Sequence, residues 1–364
     1  MKLLLIQNSL KTTWLFRKSY IENLLSKGVE VTILAFNDGD GYKENLEKLG
    51  AEVFAINSSN LLIRLFILNY NVLFNFGSKM DRIQCHFIST IIFSLPSLVV
   101  FSKKTSIVIE GLGSFCDSNK EVLKVLKFIF INFKFNRVFM NVDERNQLGK
   151  TTDTVLGGIG IDLEQYKLKL SPKNELETPR NNALSIAYAG RLLKDKGIND
   201  VFKLLDICIE NNIDVMLNVY GDIYKNNPSS LTQSDIEYLS EHFGEKVKFW
   251  GYCENLKESL VQNDLLVLPS KREGFPVVVM EASALGIPTI AYNVPGSQDA
   301  IINEVNGFLS PYGDVDELYR HVRYFVSLPD IEKEKLSLSA KKYAEDNFSR
   351  TIKNRDLYNS VLRK

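Results

Sequence analysis

Apolar residues open the chain as a four-residue run, Leu3-Leu4-Leu5-Ile6, and then recur in two rhythms. Short apolar runs bounded by polar or turn residues read as buried strands. Apolar residues three or four apart read as helices. In the first half these rules predict strands at residues 2–7, 30–36, 52–56, 106–110 and 137–142, with helices over 14–26 and 42–49. Gly28 and Gly50 fall just past those two helices, where a left-handed cap is favoured. The run 87–101 is strongly apolar, but Pro96 divides it. It is shorter than the roughly 20 residues of a spanning helix, and it predicts a buried helix followed by a strand. The N-terminal run is too short for a signal-peptide core.

A polar stretch with Pro172 and Pro179 reads as a linker over 171–182. A second alternating series follows. Its strands are expected at 184–189, 215–220, 246–250, 265–268 and 288–291, with helices over 198–209, 256–262 and 277–285. Residues 331–363 read as an amphipathic helical tail broken at 347–349, where Ser349 can cap a new helix. Strands alternating with helices imply parallel sheets. The expected fold class is α/β, with an N-terminal Rossmann-like domain over 1–170 and a second over 171–345. A C-terminal helix over 346–364 is expected to pack back on the first. Ligands in open α/β sheets bind at the carboxyl ends of the strands, so two such domains facing each other would line a cleft there.

Composition narrows the function. The 364 residues carry 44 Lys and Arg against 44 Asp and Glu, a formal charge of zero. That argues against a general nucleic-acid binder. Four cysteines without a Cys-x-x-Cys pair and three histidines argue against a metal site or a disulfide scaffold and fit a reducing cytoplasm. The charge is unevenly placed: residues 1–170 carry 21 basic against 16 acidic side chains. Part of that excess is ordered. Lys120, Lys124, Lys127 and Lys134 recur at helical spacing on an apolar segment. Such a stripe fits an anionic membrane surface or simply a solvated helix face.

Two segments concentrate chemistry. In the first, a strand ends and a loop carries Glu273-Gly274-Phe275-Pro276 before a helix. Pro276 suits a helix start, and first-turn amides are free for a polar ligand group. Glu281 follows eight positions after Glu273, and two carboxylates can hold separate hydroxyls of one polyol. In the second, a strand ends at Gly190, followed by Arg191 and Lys196. Glycine permits close backbone approach, and the cations can bind a diphosphate. A nicotinamide dehydrogenase is excluded because no Gly-x-Gly-x-x-Gly follows the first strand.

These segments, with Phe249-Trp250-Gly251-Tyr252, Gly286-Ile287-Pro288 and Asn306-Gly307-Phe308, resemble glycosyltransferase family 4, the retaining GT-B enzymes, in family order over most of residues 184–310. The resemblance implies a UDP-sugar donor on the second domain. Arg191 and Lys196 would bind its diphosphate, Gly190 would allow its approach, and Glu281 would hold the ribose hydroxyls. Glu273 would sit at the transferred sugar, beside the amides of Gly274 and Phe275 and the turn at Pro276. Gly251 and Tyr252 would lie near the base. The family works without a metal and retains the α configuration, so no cofactor is expected. In the first half, Phe16-Arg17 and Glu110-Gly111-Leu112-Gly113-Ser114-Phe115 resemble a bacterial branch, N-acetylgalactosaminyltransferases that extend undecaprenyl-diphosphate-linked sugars. Glu110 stands where many relatives have a histidine. That branch implies an acceptor site at Arg17, Glu110, Gly111 and Gly113, and a peripheral position on the cytoplasmic face of the inner membrane, reached by the four lysines. A soluble acceptor, or a binding-only subunit, remains open as an alternative.

Overall fold

The computed structural model describes residues 1–39, 41–113, 119–167, 183–224 and 227–362. The expected linker over 171–182, Ser114 and Phe115 lie outside them. The chain divides into two compact units, Met1–Ile159 with Arg350–Lys364, and Gly160–Ser349. The division falls at Ile159, ahead of the break at 170 suggested by the polar stretch.

The first unit runs β1 (Lys2–Gln7), α1 (Leu10–Ser26), β2 (Glu30–Phe36), α2 (Tyr42–Lys48), β3 (Glu52–Ile56), α3 (Leu61–Tyr70), β4 (Arg82–His86), α4 (Ile88–Val100), β5 (Thr105–Ile109), α5 (Lys120–Asn132), β6 (Asn136–Phe139), α6 (Val142–Leu148) and β7 (Thr154–Val155). The second runs β8 (Leu184–Ala189), α7 (Ile198–Glu210), β9 (Val215–Tyr220), α8 (Gln233–Phe243), β10 (Val247–Gly251), α9 (Leu256–Leu260), β11 (Leu265–Leu268), α10 (Val277–Leu285), β12 (Thr289–Tyr292), α11 (Ser297–Ala300), β13 (Gly307–Ser310), α12 (Val315–Ser327) and α13 (Asp330–Asn347). The final helix, α14 (Arg350–Leu362), returns to the first unit. There Asn136 Nδ2 donates to the Ser360 carbonyl at 2.6 Å, and Lys353 Nζ to that of Leu156 at 2.7 Å.

Both sheets are parallel and share one ordering rule. The first reads β3-β2-β1-β4-β5-β6-β7 and the second β10-β9-β8-β11-β12-β13. In each, the first strand lies between elements that lead off in opposite directions. This switch point opens a crevice at the strand carboxyl ends, between β1 and β4 and between β8 and β11. Strand β1 is buried on both faces. Leu4 and Ile6 share a core with α3, α4 and α5, while Leu3 and Leu5 point to the opposite face. That double burial turns the short apolar run into a central strand.

Four details depart from the sequence reading. Helix α1 begins at Leu10, because the Ser9 side chain accepts the Thr12 amide and caps it. The strand expected through 142 ends at Phe139, and Asn141 caps α6 by accepting the Glu144 amide. Helix α5 ends at Asn132, so Lys134 lies beyond it rather than on its stripe. Pro96 sits inside α4, which is one helix rather than a helix and a strand. A proline there removes an amide and displaces a helical bond. The Asn69 amide bridges the fault: Nδ2 donates to the Phe93 carbonyl at 2.9 Å, and Oδ1 accepts the Ser97 amide at 3.1 Å. Asn69→Leu is therefore expected to cost about 2 kcal/mol, since two backbone groups lose their partner. Urea unfolding of the variant against wild type measures it.

Candidate active site

The carboxyl edge of the second sheet gathers the predicted donor residues. The loop after β8 carries Gly190, Arg191 and Lys196. The loop after β11 carries Glu273 and leads through Gly274, Phe275 and Pro276 into α10. A backbone bond ties these loops together, the Lys271 amide donating to the Asp195 carbonyl at 3.0 Å, and the Glu273 amide donates to the Pro295 carbonyl, in the loop after β12, at 3.1 Å. Two glycines make this closeness possible. A Cβ on Gly197 would lie 1.9 Å from the Pro269 oxygen, and one on Gly296 would lie 2.3 Å from the Glu273 oxygen. Both also have positive φ, which disfavours any side chain.

This packing brings Lys196 Nζ within 2.7 Å of Glu273 Oε1, the side chains being 22% and 13% exposed. The sequence assigned these two to different parts of a ligand. The fold puts an ammonium and a carboxylate at one point, able to meet a phosphate and a hydroxyl together. Tyr188 stands behind them. Burial, and then the Glu273 charge, raise its pKa, so it remains a phenol and donates to the Arg191 carbonyl at 2.9 Å. The Arg191 guanidinium lies 5.2 Å over the Tyr224 ring. Pro276 occupies the cap position of α10, one residue before its first turn.

Glu281, on α10, accepts a hydrogen bond from the Tyr166 hydroxyl at 2.8 Å. Tyr166 was missed in the sequence, where it lies 115 residues earlier in a short turn. At the end of β10, the Gly251 carbonyl accepts the Gly221 amide at 2.8 Å, and the Tyr252 amide donates to Asp222 Oδ1 at 3.1 Å, leaving Tyr252 70% exposed. Tyr252, Gly221, Lys196 and Glu273 thus follow β10, β9, β8 and β11, in the order of the sheet, across roughly 14 Å of edge at one strand spacing each.

The first unit gathers a second cluster. Glu110 follows β5, His86 ends β4, and Arg17 projects from α1; all three are buried. Arg17 binds Glu110, and His86 Nδ1 lies 2.5 Å from Glu110 Oε1. Burial and the Arg17 charge hold His86 down to about 4, against the pull of Glu110, so near pH 7 it is neutral and donates through Nδ1. Burial works to raise Glu110, but the Arg17 charge and the His86 hydrogen bond outweigh it and bring it to about 2. Two of the four residues expected at the acceptor, Arg17 and Glu110, thus bind each other. His86, one of the chain's three histidines, completes the cluster. Its Nε2, and both amide atoms of Gln7 at the end of β1, are buried with no hydrogen-bond partner among the described residues. Such groups are rare in folded proteins, and these two strands flank the switch point.

The Gly111 amide donates to Glu144 Oε1 at 2.7 Å, and the Met140 amide to Oε2 at 3.1 Å. Gly113 is exposed with positive φ. Burial drives Glu144 up to about 8, although backbone amides oppose it. An unfolded glutamate titrates near 4.5, so the folded chain holds the extra proton between about 4.5 and about 8. This group's contribution is fully present below that window and is lost as pH rises through it. Unfolding free energies at pH 5.5 and 8 are expected to show a smaller decline in Glu144→Gln than in wild type. Among the described residues no group of three or more His, Cys, Asp or Glu is placed to hold a metal ion.

Known proteins share this fold. Residues 173–346 fit the family model described as glycosyl transferases group 1. The chain is 27% identical over 274 residues to the capsular polysaccharide biosynthesis glycosyltransferase CapM of Staphylococcus aureus, covering 70% of this chain and 65% of that protein. It is 25% identical over 358 residues to the N,N'-diacetylbacillosaminyl-diphospho-undecaprenol alpha-1,3-N-acetylgalactosaminyltransferase of Campylobacter jejuni, covering 91% and 90%. Crystal structures of Anabaena HepE in complex with UDP and with UDP-glucose superpose with TM-scores of 0.80 and 0.76 at 18% identity, each over 99% of both chains. The two parallel-sheet units are those of the GT-B fold.

Proposed function

We propose that the chain is a retaining, metal-independent family 4 glycosyltransferase of bacterial surface polysaccharide (O-antigen or capsule) or glycoprotein glycan assembly. It moves a hexose or N-acetylhexosamine from a UDP-sugar to an undecaprenyl-diphosphate-linked saccharide. The observation that carries this reading is the Lys196–Glu273 pair, held on two tied loops at the β8/β11 switch point. The row of residues along the sheet edge suits an extended donor. The base would lie toward Tyr252, the diphosphate at Gly190, Arg191 and Lys196, and the sugar at Glu273 and the first-turn amides of α10. Glu281 would hold the ribose, oriented by Tyr166. Breaking the sugar–phosphate bond leaves charge on the diphosphate. Lys196 and Arg191 would stabilise it without reorganisation, the effect that counts most in such steps.

The saccharide acceptor would lie on the first unit, at the crevice between the carboxyl ends of β1 and β4. The name of the S. aureus relative supports polysaccharide assembly, that of the C. jejuni relative an undecaprenyl-diphosphate-linked acceptor, and the bound UDP-glucose of HepE the donor class. Among the described residues no helix is long and apolar enough to cross a membrane. The chain would act peripherally at the cytoplasmic face, with Lys120, Lys124, Lys127 and Lys134 toward the lipid. Of these, Lys124 is paired with Glu121, and Lys127 donates to the Asn146 carbonyl.

The deciding experiment is transfer of labelled sugar from a panel of UDP-sugars, with EDTA present, into the organic-extractable fraction of bacterial membranes. Label from one donor, lost in Glu281→Ala, is expected. Label only on a water-soluble acceptor would overturn the lipid-linked reading. A finer prediction concerns Tyr166→Phe. Loss of one hydrogen bond to Glu281 is worth about 1 kcal/mol, so UDP affinity should fall about fivefold by calorimetric titration.

A further inference from the structure

The most apolar surface of the first unit is not on the lysine helix. Helices α3, α4 and α5 cover the same face of the sheet, through the core they share with Leu4 and Ile6. Outside that core, α3 and the π-helical turn that continues it, Asn71–Phe76, turn a ladder of large side chains to solvent. Leu62 is 75% exposed, Phe66 68%, Tyr70 46% and Phe74 66%. They recur every four residues, so they lie on one line. The rings touch in series, with centroids 5.9 Å apart for Phe66–Tyr70 and 5.2 Å for Tyr70–Phe74. On α5, Phe128 and Val125 are exposed as well. Between α4 and α5 opens an apolar groove of about 460 Å³, lined by Ile92, Leu95, Pro96, Val99, Ile129 and Phe133. The opposite helical layer offers little of this kind: on α1 only Leu15 is a large exposed apolar residue, and on α2 none is.

Charge decides what would cover this layer. Residues 61–134 carry nine Lys and Arg against four Asp and Glu. Of the four, Glu110 is buried against Arg17 and Asp81 binds the Lys2 amide. Asp117 lies outside the described residues. Glu121 remains, paired with Lys124. A second copy of the chain, joined about a twofold axis, would set the same patch against itself and bring lysine against lysine. An anionic lipid surface meets both features, since basic side chains take the headgroups while an apolar helix face sinks to the acyl boundary.

We infer that the α3–α4–α5 layer is the bilayer-docking face of this protein, with the Leu62–Phe66–Tyr70–Phe74 ladder embedded in an anionic leaflet and the α4–α5 groove taking a lipid acyl chain. This deepens the peripheral part of the reading above and rests on it. It moves the main anchor from the lysines of α5 to the apolar ladder of α3.

The test is cosedimentation of the full chain with vesicles of three parts phosphatidylcholine to one part phosphatidylglycerol, free of any polyprenyl lipid, so that binding is scored whether or not sugar is transferred. Wild type is expected to partition to the vesicles at least tenfold more strongly than Leu62→Glu/Phe66→Glu. Raising the salt should weaken wild type several-fold without bringing it down to the double variant. The variant should keep the wild-type melting temperature and its transfer rate to a water-soluble acceptor; should it melt early, Phe74→Glu takes its place. Equal vesicle binding by variant and wild type would overturn the inference, as would absence of wild-type binding. A wild-type dimer that the double variant breaks, without vesicle binding, would assign the layer to a second copy instead.

Discussion

Lys196→Met is expected to lower kcat by about a hundred- to a thousandfold, the usual consequence of removing one pre-positioned group that stabilises charge in a transition state. The loss should fall mainly on kcat. A cation facing a departing diphosphate meets more charge there than in the bound donor, so KM for the UDP-sugar should rise by much less. A structural explanation can be separated from this one. Lys196 also neutralises Glu273, 13% exposed and 2.7 Å away, so its loss leaves a poorly solvated carboxylate. Glu273→Gln/Lys196→Met removes both charges and should recover much of any lost melting temperature while leaving kcat low. If the double variant recovers kcat as well, Lys196 is serving the loop and not the leaving group. Lys196→Arg keeps the charge and should retain part of the rate, though a planar guanidinium cannot reproduce the short contact to Glu273.

The cluster at the carboxyl edge of the second sheet was legible because its residues are local in sequence. A strand, a glycine and two cations within seven residues, or a glutamate four residues ahead of a helix, survive without knowledge of the fold. Their partners did not. Lys196 and Glu273 lie 77 residues apart, and Tyr166 and Glu281 115. Strand order makes the first pair neighbours, and the packing of a short turn against α10 the second. The strand series was legible for a similar reason, as doubly buried strands are unbroken apolar runs. Strand β4 escaped because Gln84 and His86 interrupt it, although both are fully buried. The sequence rules equate polar with exposed, and β4 carries buried polar groups at the switch point. The helix α3 escaped because Leu61–Phe66 is apolar almost throughout, with no polar face to mark the period. Pro96 misled in the opposite sense: the residue that repairs its break, Asn69, sits on another helix.

The same separation hides a buried ion pair of the first unit. Arg17 is 3% exposed and is the cation that keeps Glu110 ionised in a buried setting. Arg17→Met should destabilise the protein by about 3–5 kcal/mol at neutral pH, because it strands a buried carboxylate instead of removing a pair. The pH dependence distinguishes this from a packing defect. In wild type His86 stays neutral down to about 4, partly through the Arg17 charge, and an unfolded histidine titrates near 6.5. Between those values the unfolded chain binds more protons at this group, so the His86 contribution to wild-type stability declines as pH falls from 6.5 toward 4. Without Arg17, the folded His86 is freed to take a proton beside Glu110 and becomes its new counter-ion. The variant should then lose less than wild type over the same interval. Urea unfolding at pH 7.5 and pH 5 should show the gap between the two proteins narrowing on the acid side. A gap that stays constant would mean that Arg17 contributes only its methylene packing, and that the Glu110–His86 contact does not depend on its charge.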